Sequence, residues 1–266
     1  MNGTDTRQAA AALWNALQQG RTVDALPAPL RPSTRLEGYA IQAAWPGVAG
    51  DVVAGWKIAA TSAAGQAHIN VSGPLAGRVL ADRVHDAGAT VSLRGNRMRV
   101  AEPEFAFRFR RDLPPRPAPY EVDEVLQAVG TLHPAFEVPD SRYTEFVAAG
   151  EPQILADNAC GNRFVLGPAT GADWRTLDLS THAVHAEVRR ADGSTWRRVG
   201  SGAAVLGDPR VALAWLVNEL SSLGETLRAG QWVSTGTCMV PLEVQPGDRA
   251  VADYGVLGRI TIDLSD

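Results

Sequence analysis

The sequence predicts a mixed α+β fold, in which a β-rich roll or barrel carries a small helical cap at its N-terminus. Three observations predict it: strand-like segments outnumber clear helices, the two kinds of segment do not alternate regularly, and helical patterns fill the first fifty residues. A doubly wound or TIM-type fold would require regular alternation of strands and helices. We therefore expect a helical cap over residues 1–50 and a β-rich domain over residues 51–266.

Helical signals dominate the predicted cap. Residues 5–19 carry apolar side chains at four-residue spacing, and Gly20 follows as a typical C-terminal residue. A second helix opens at Thr34, where Glu37 completes the spacing of a capping box, and it ends at Pro46.

Strand signals dominate the rest of the chain, where short apolar runs alternate with glycine and proline turns. Two helices interrupt them, over residues 121–129 and 208–223, and the second has Asp208 as N-cap and Pro209 in its first turn. The predicted strands cover residues 52–58, 90–91, 105–109, 135–138, 163–166, 182–188, 232–234, 249–253 and 258–264.

Composition excludes several classes of protein. The chain has 266 residues, of which 45% are hydrophobic, and a net charge of −4, so it can bury a core and is not expected to be disordered. Its arginine doublets are short and scattered, which argues against a nucleic-acid binder. The sequence shows neither a signal peptide nor an apolar run of ~18 residues, and its two cysteines form no metal or disulfide pattern. These features indicate a cytoplasmic protein that does not bind membranes.

Three glutamates are the strongest candidates for chemistry. Glu102 and Glu104 share one face of a strand whose other face is lined with phenylalanines, and such close carboxylates repel unless a cation or a proton lies between them. Pro103 cannot donate to a strand ladder, so we expect this segment at a sheet edge or a bulge. Glu137 lies between apolar residues and needs a partner if it is buried. A site made of these oxygens would favour Mg²⁺ or Mn²⁺ over zinc.

Several further segments accompany these glutamates in a recognisable order. They are GWKIAATS (55–62), EPE (102–104), PAFEVPDSR (134–142), DNAC (157–160), FVLG (164–167), GAAVLGDP (202–209), LRAGQWVSTGT (227–237) and VQPGD (244–248). This set resembles the fumarylacetoacetate hydrolase superfamily, and within it the branch of 2-keto-4-pentenoate hydratases and 4-oxalocrotonate decarboxylases.

The resemblance implies a fold like the C-terminal domain of fumarylacetoacetase and one divalent cation, Mg²⁺ or Mn²⁺, held by Glu102, Glu104 and Glu137. The cation would chelate a 2-oxo acid and stabilise its enolate. Lys57 would contact the substrate carboxylate or transfer a proton, with its pKa lowered by burial. The resemblance also implies substrate contacts for a set of smaller side chains. They are Ser62, Leu75, Cys160 and Thr237.

The chain departs from the family pattern at three of these positions. Leu75 stands where the hydratases carry an acidic residue, and both Cys160 and Thr237 stand where serine is commoner. Leucine cannot transfer a proton, so the metal ligands are kept while the proton-transferring set is altered. His68 is a candidate catalytic base in its place, although a surface histidine on a short helix is the favoured interpretation of this residue.

The resemblance therefore implies a metal-dependent lyase that hydrates a 2-oxo-4-enoate in aromatic catabolism. Two alternatives stay open: decarboxylation of a 2-oxo-3-enedioate, which needs the same enolate stabilisation, and a non-catalytic metal-binding subunit, which Leu75 favours. Hydrolysis of an acylpyruvate fits less well, because no His–Glu pair that would activate water is evident. The resemblance also implies a homo-oligomer and allows a complex with a decarboxylase or hydratase of the same pathway.

Overall fold

The computed structural model describes all residues from Met1 to Asp266 and confirms the predicted mixed fold. The helices are α1 (Gly3–Gln18), α2 (Arg35–Ala43), α3 (Trp45–Ala49), α4 (Ala63–His68), α5 (Val122–Ala128), α6 (Glu151–Ala156) and α7 (Pro209–Ser222). The strands are β1 (Val53–Ala59), β2 (Leu75–Leu80), β3 (Val84–Asp86), β4 (Thr90–Ser92), β5 (Val100–Phe109), β6 (Val129–Val138), β7 (Arg163–Leu166), β8 (Ala183–Arg189), β9 (Thr195–Ser201), β10 (Trp232–Thr237), β11 (Leu242–Glu243), β12 (Arg249–Asp253) and β13 (Arg259–Ser265).

The strands form two curled sheets. The eight-stranded sheet has the order β2-β1-β10-β5-β6-β7-β3, with β11 also paired to β5, and the five-stranded sheet has the order β4-β13-β12-β8-β9. Strand β5 lies in the interior of the larger sheet, because it pairs antiparallel with both β10 and β6. Pro103 therefore occupies an interior strand, and the sheet-edge alternative is wrong. The bulge alternative agrees with the register shift in the adjacent strand β10 between Ser234 and Thr237.

The main hydrophobic core lies on one face of the larger sheet. Phe105, Phe107 and Phe109 of β5 are buried in it together with Leu213 and Leu216 of α7. The two glutamates of β5 alternate with these rings and project from the other face, as the period of a strand requires. The acidic face is thus separated from the core by the thickness of a single sheet.

The N-terminal helices pack on this body through a second, smaller core. Trp14, Ile41 and Trp45 are buried there against Leu80 and Tyr143 of the body. The indole of Trp45 also donates a hydrogen bond to the carbonyl of a residue in α6, at 3.0 Å. The boundary predicted at residue 50 falls in the short segment between α3 and β1, although the cap shares its apolar core with the larger domain.

Local details differ from the predicted ones for identifiable reasons. Pro46 was expected to end a helix. It follows the end of α2 and also lies in the first turn of α3, where its missing N–H is not needed. Thr34 caps α2, but the carboxylate of Glu37 accepts from the backbone and hydroxyl of Ser33 instead of from the N-cap backbone. Strands β2 and β9 were not expected, because β2 contains Gly77 and β9 is an edge strand with little apolar character. No helix of the structure is both long enough and apolar enough to cross a membrane.

Replacing the N-cap of the longest core helix should lower stability measurably. The Asp208 carboxylate accepts from the backbone N–H of Arg210 at 2.8 Å and pairs with its guanidinium at 2.6 Å. We expect Asp208→Ala to cost about 1 kcal/mol and to lower the melting temperature by roughly 2–4 °C. Asp24→Ala is the matched control, because Asp24 is exposed and its carboxylate has no partner. Equal melting temperatures for both variants would contradict the capping role.

Candidate active site

Three carboxylates converge on the open face of the larger sheet. Glu102 and Glu104 come from β5, and Glu137 lies on β6 directly opposite Glu102 in the strand register. One oxygen from each residue can be chosen so that all three lie within 4.8 Å of one another. Glu104 is fully buried and Glu137 is 2% exposed, whereas Glu102 remains partly accessible. The cluster is therefore accessible from the side of Glu102, while the carboxylates of Glu104 and Glu137 are enclosed by protein.

Hydrogen bonds leave one oxygen of each buried carboxylate free. Oε2 of Glu104 accepts from the Ser234 hydroxyl and from the Gly236 backbone N–H, at 3.0 Å for the latter. Oε1 of Glu137 lies 3.3 Å from Nζ of Lys57. The remaining oxygens, Oε1 of Glu104 and Oε2 of Glu137, are buried and have no hydrogen-bond partner. Buried acceptors without partners are costly, so these residues fit a divalent cation that prefers oxygen ligands, such as Mg²⁺ or Mn²⁺.

The raised pKa values of the clustered carboxyls also favour a cation site. Burial, followed by repulsion from Glu137, raises the pKa of Glu102 to about 8. Although part of its side chain reaches the surface, the Glu102 carboxyl is densely surrounded by protein atoms. Burial and the two neighbouring carboxylates raise the pKa of Glu104 well above its usual value. Without a cation, the cluster therefore holds protons at neutral pH.

Lys57 is the only lysine of the chain, and it lies beside this cluster. It projects from β1, is 2% exposed, and donates a hydrogen bond to the carbonyl of Ala159 at 2.7 Å. Burial lowers its pKa, but the negative groups around it, Glu137 foremost, outweigh burial and leave the pKa above its usual value. The expected fall in this pKa was wrong, because the sequence did not show how many carboxylates surround the ammonium.

The carbonyl that receives Lys57 belongs to a strained loop. Asn158, Ala159 and Cys160 all have positive φ angles, of 55°, 49° and 61°, a conformation that residues other than glycine rarely adopt. The Asn158 side chain holds the loop in place, since it accepts from the backbone N–H of Arg78 and donates to its carbonyl, both at 2.7 Å. Gly77 is needed beside it, because a Cβ there would meet the stem of Lys57 at 2.9 Å.

A bulge in β10 supplies the two donors to Glu104. The register between β10 and β5 shifts between Ser234 and Thr237, and Gly236 adopts a φ of 99° at that point. The bulge turns the Gly236 N–H toward the carboxylate, and Ser234, two residues earlier, donates its hydroxyl to the same oxygen. The roles of Ser234 and Gly236 were not predicted, although a glycine inside a strand pattern is a signal for a bulge.

The other predicted site residues lie in varied surroundings, and their roles stay predictions. Ser62 caps α4, and Thr237 donates its hydroxyl hydrogen to the carbonyl of Met239. Leu75 begins β2, is fully buried and packs in the main core. The remaining two were expected to bind substrate or transfer protons. They are His68, which is exposed and stacks edge-on against Phe146, and buried Cys160, whose pKa is raised to about 12 by burial and by Asp157.

Comparisons with known proteins find relatives that match most of the chain. It is 33% identical over 255 residues to a 2-keto-4-pentenoate hydratase of Paraburkholderia xenovorans, covering 93% of this chain and 90% of that protein. It is 33% identical over 207 residues to a 4-oxalocrotonate decarboxylase of a Pseudomonas strain, covering 77% and 75% of the two chains. No family model matches the chain.

The fold agrees with that of a solved relative over almost its entire length. The 4-oxalocrotonate decarboxylase of Pseudomonas putida G7, solved in complex with magnesium and adipate, superposes with a TM-score of 0.87. The superposition covers 99% of this chain and 98% of that one, at 26% sequence identity. The predicted resemblance to this superfamily is confirmed.

Neutralising one carboxylate of the cluster should stabilise the metal-free protein at alkaline pH. A carboxyl whose pKa is raised by folding contributes stability below its unfolded pKa of about 4.5 and loses it as the pH rises. Metal-free Glu104→Gln should therefore melt at a higher temperature than wild type at pH 8, with the difference vanishing toward pH 5. Thermal melts in a chelator between these pH values provide the measurement.

The same variant should lose affinity for Mg²⁺ by at least about tenfold, measured by calorimetric titration. Glu145→Gln is the matched control, because Glu145 is exposed and makes no side-chain hydrogen bond. An unchanged Mg²⁺ affinity together with an unchanged pH profile would show that Glu104 is not a ligand.

Proposed function

Because this chain belongs to the 2-keto-4-pentenoate hydratase and 4-oxalocrotonate decarboxylase branch of the fumarylacetoacetate hydrolase superfamily, we propose that it is a divalent-metal-dependent hydro-lyase. It would add water to a small 2-oxo-4-enoate in the breakdown of aromatic compounds. One observation carries the proposal: Glu104 and Glu137 keep unpartnered, buried oxygens beside the only lysine of the chain. This combination fits a cation and a substrate carboxylate side by side.

The mechanism follows from what each side chain can do. When bound, Mg²⁺ or Mn²⁺ supplies Lewis acidity that stabilises the enolate of a 2-oxo acid. Ser234 and Gly236 hold the Glu104 carboxylate in one orientation by two hydrogen bonds. Lys57 donates one N–H to the carbonyl of Ala159 and forms an ion pair with Glu137. Its third N–H is therefore left to bind the substrate carboxylate or to deliver a proton.

Decarboxylation is the second candidate, and a specific observation favours it. Leu75 occupies the position where an acid is expected in the hydratases, and it is fully buried. Hydration needs a placed water and a group that protonates the far carbon, whereas loss of CO₂ from a 2-oxo-3-enedioate needs only a stabilised enolate. An apolar residue at this position excludes water and so favours the reaction that does not consume it.

A coupled pair of assays tests the proposal. The protein is incubated with 2-hydroxypenta-2,4-dienoate and Mg²⁺ or Mn²⁺, and loss of the dienol absorbance is followed. In a parallel assay, CO₂ release from 2-oxohex-3-enedioate is measured. Turnover of the dienol supports the hydratase, and CO₂ release alone supports the decarboxylase. No turnover in either assay, with Mg²⁺ still bound, would mean that the protein is a non-catalytic metal-binding subunit.

The proposal also covers assembly and location. We expect a homo-oligomer in the cytoplasm, where the small 2-oxo acids of aromatic breakdown are processed, and its mass follows from light scattering on the purified protein. Co-purification with a decarboxylase or hydratase of the same pathway would add a hetero-complex to this description.

Removing the ammonium of Lys57 should reduce turnover severely. Lys57→Met keeps most of the buried stem, so the variant loses charge and hydrogen bonds with little loss of packing. We expect kcat/KM to fall by at least about a hundredfold, with both a higher KM and a lower kcat if the ammonium binds substrate and moves a proton. Steady-state kinetics measure both constants, and Lys57→Arg is the control that retains the charge. Wild-type kinetics in Lys57→Met would show that Lys57 only packs.

Restoring an acid at position 75 should separate the two reactions. Leu75→Asp is expected to raise hydration of the dienol at least tenfold, about 1.4 kcal/mol of barrier, if the missing group is a proton carrier. Leu75→Asn is the matched control, because it has nearly the same shape and cannot transfer a proton. A rate that is unchanged or abolished in a folded Leu75→Asp variant would assign the transfer to another group, such as His68, or exclude hydration as the reaction.

A further inference from the structure

A cleft outside the glutamate cluster is lined mainly by cationic side chains. It has a volume of about 670 Å³ and lies between the C-terminal end of α1 and the β-rich body. Five arginines from separate segments line it, and Asp140 is the single acidic residue among the lining residues. The arginines are Arg21, Arg83, Arg94, Arg142 and Arg163. The walls therefore carry a large excess of positive charge.

Most of these arginines have no partner within the protein. Arg142 is fully engaged with Asp157, but the guanidinium groups of Arg21, Arg94 and Arg163 make neither a hydrogen bond nor an ion pair. Arg83 is only 8% exposed, and its Nε is buried without a hydrogen-bond partner. A buried guanidinium loses its hydration, and this loss is costly unless an acceptor replaces the water.

The acidic groups nearby do not neutralise the cleft. Asp140 already accepts from the backbone N–H groups of Arg97 and Met98. Asp82 approaches the Nε of Arg83 to 3.4 Å in an ion pair without a hydrogen bond, and Asp82 is itself exposed. Burial, followed by the neighbouring charge of Arg163, holds the pKa of Arg83 below its usual value.

We propose that this cleft is a binding site for a small molecule that carries at least two anionic groups, phosphate or carboxylate. Arginine side chains form paired hydrogen bonds with both groups, and the planar guanidinium suits either geometry. Arg21 follows α1 of the cap, whereas Arg83, Arg94 and Arg163 belong to the body, so one ligand would join the cap to the body. This site is separate from the glutamate cluster and does not depend on the reaction proposed there.

A ligand in the cleft would act on the strained loop over residues 158–160, because residues of the cleft wall also hold that loop. Arg142 and Asp140, which form part of its wall, also hold the strained loop: Arg142 donates to the carbonyl of Gly161 at 3.0 Å, and the backbone N–H of Asp140 donates to the carbonyl of Cys160 at 2.9 Å. The carbonyl of Ala159 in the same loop receives Lys57. A bound anion therefore braces the segment that positions the lysine.

Thermal melts of the full-length, metal-free protein test this proposal. The probes are inorganic phosphate, fructose 1,6-bisphosphate and succinate, each compared with sodium chloride at the same ionic strength. We expect at least one probe to raise the melting temperature by about 3 °C or more near saturation. A response to the two phosphates alone identifies a phosphate ligand, and a response to succinate alone identifies a dicarboxylate.

Two variants and one control decide whether the effect comes from the cleft. Arg163→Ala should lose most of the shift, and Arg83→Met should abolish it. Without a probe, Arg83→Met should melt at or above the wild-type temperature, because it removes a buried charge whose one ion-pair contact is with exposed Asp82, and it keeps the stem on Trp14. Arg259→Ala is the matched control, since Arg259 is exposed, unpaired and outside the cleft; it should respond as wild type does.

Two results would overturn the proposal. Equal shifts in Arg83→Met, Arg163→Ala and wild type would show that anions act on the surface in general. Absence of any shift in wild type, together with an oligomer that dissociates in Arg94→Glu, would show that an acidic surface of a second copy of this chain fills the cleft instead.

Discussion

The whole site depends on one electrostatic constraint: three carboxylates and a single ammonium share a buried pocket. Fully ionised, the group carries two net negative charges, and a divalent cation is the neutralising species with the matching charge. Protons are the alternative, and the raised pKa of Glu102, about 8, shows that they are retained when no cation is present. Metal binding and proton release are therefore linked at this site, as they are wherever ligands must be deprotonated.

The fold meets this constraint by fixing the pocket from three directions. The antiparallel register of β5 and β6 sets Glu137 opposite Glu102, the bulge at Gly236 aims an N–H at Glu104, and the strained loop at Ala159 aims a carbonyl at the lysine. Left-handed non-glycine residues cost on the order of 1–3 kcal/mol each, so such a loop persists only where its surroundings hold it. The buried Arg142–Asp157 pair provides that support next to the strained residues.

Local patterns predicted much of this structure, and non-local ones did not. The period of a strand was enough to place Glu102 and Glu104 on one face opposite the phenylalanines, and cap residues located α7 within one or two residues. The register that brings Glu137 to them was inferred from family likeness, because spacing alone does not fix pairing between strands. The raised pKa of Lys57 was missed because it depends on the summed charge of three carboxylates from two strands. The interior position of Pro103 was missed because the neighbouring strand β10 absorbs the irregularity.

The charges of the arginine cleft and of the glutamate cluster act on each other, because Arg142 lies close to both. Burial raises the pKa of Glu137 above its usual value, and the charge of Arg142, which lines the cleft, opposes this rise together with Lys57. Neutralising the wall with an anion removes part of that opposition and favours a cation or protons at the glutamates. Because coupling between two binding sites is reciprocal, a cation at the glutamates would in turn strengthen binding of the proposed anion in the cleft. The segment from Asp157 to Arg163 lies between the two sites and contacts both, so an anion in the cleft would act on the glutamates through this segment.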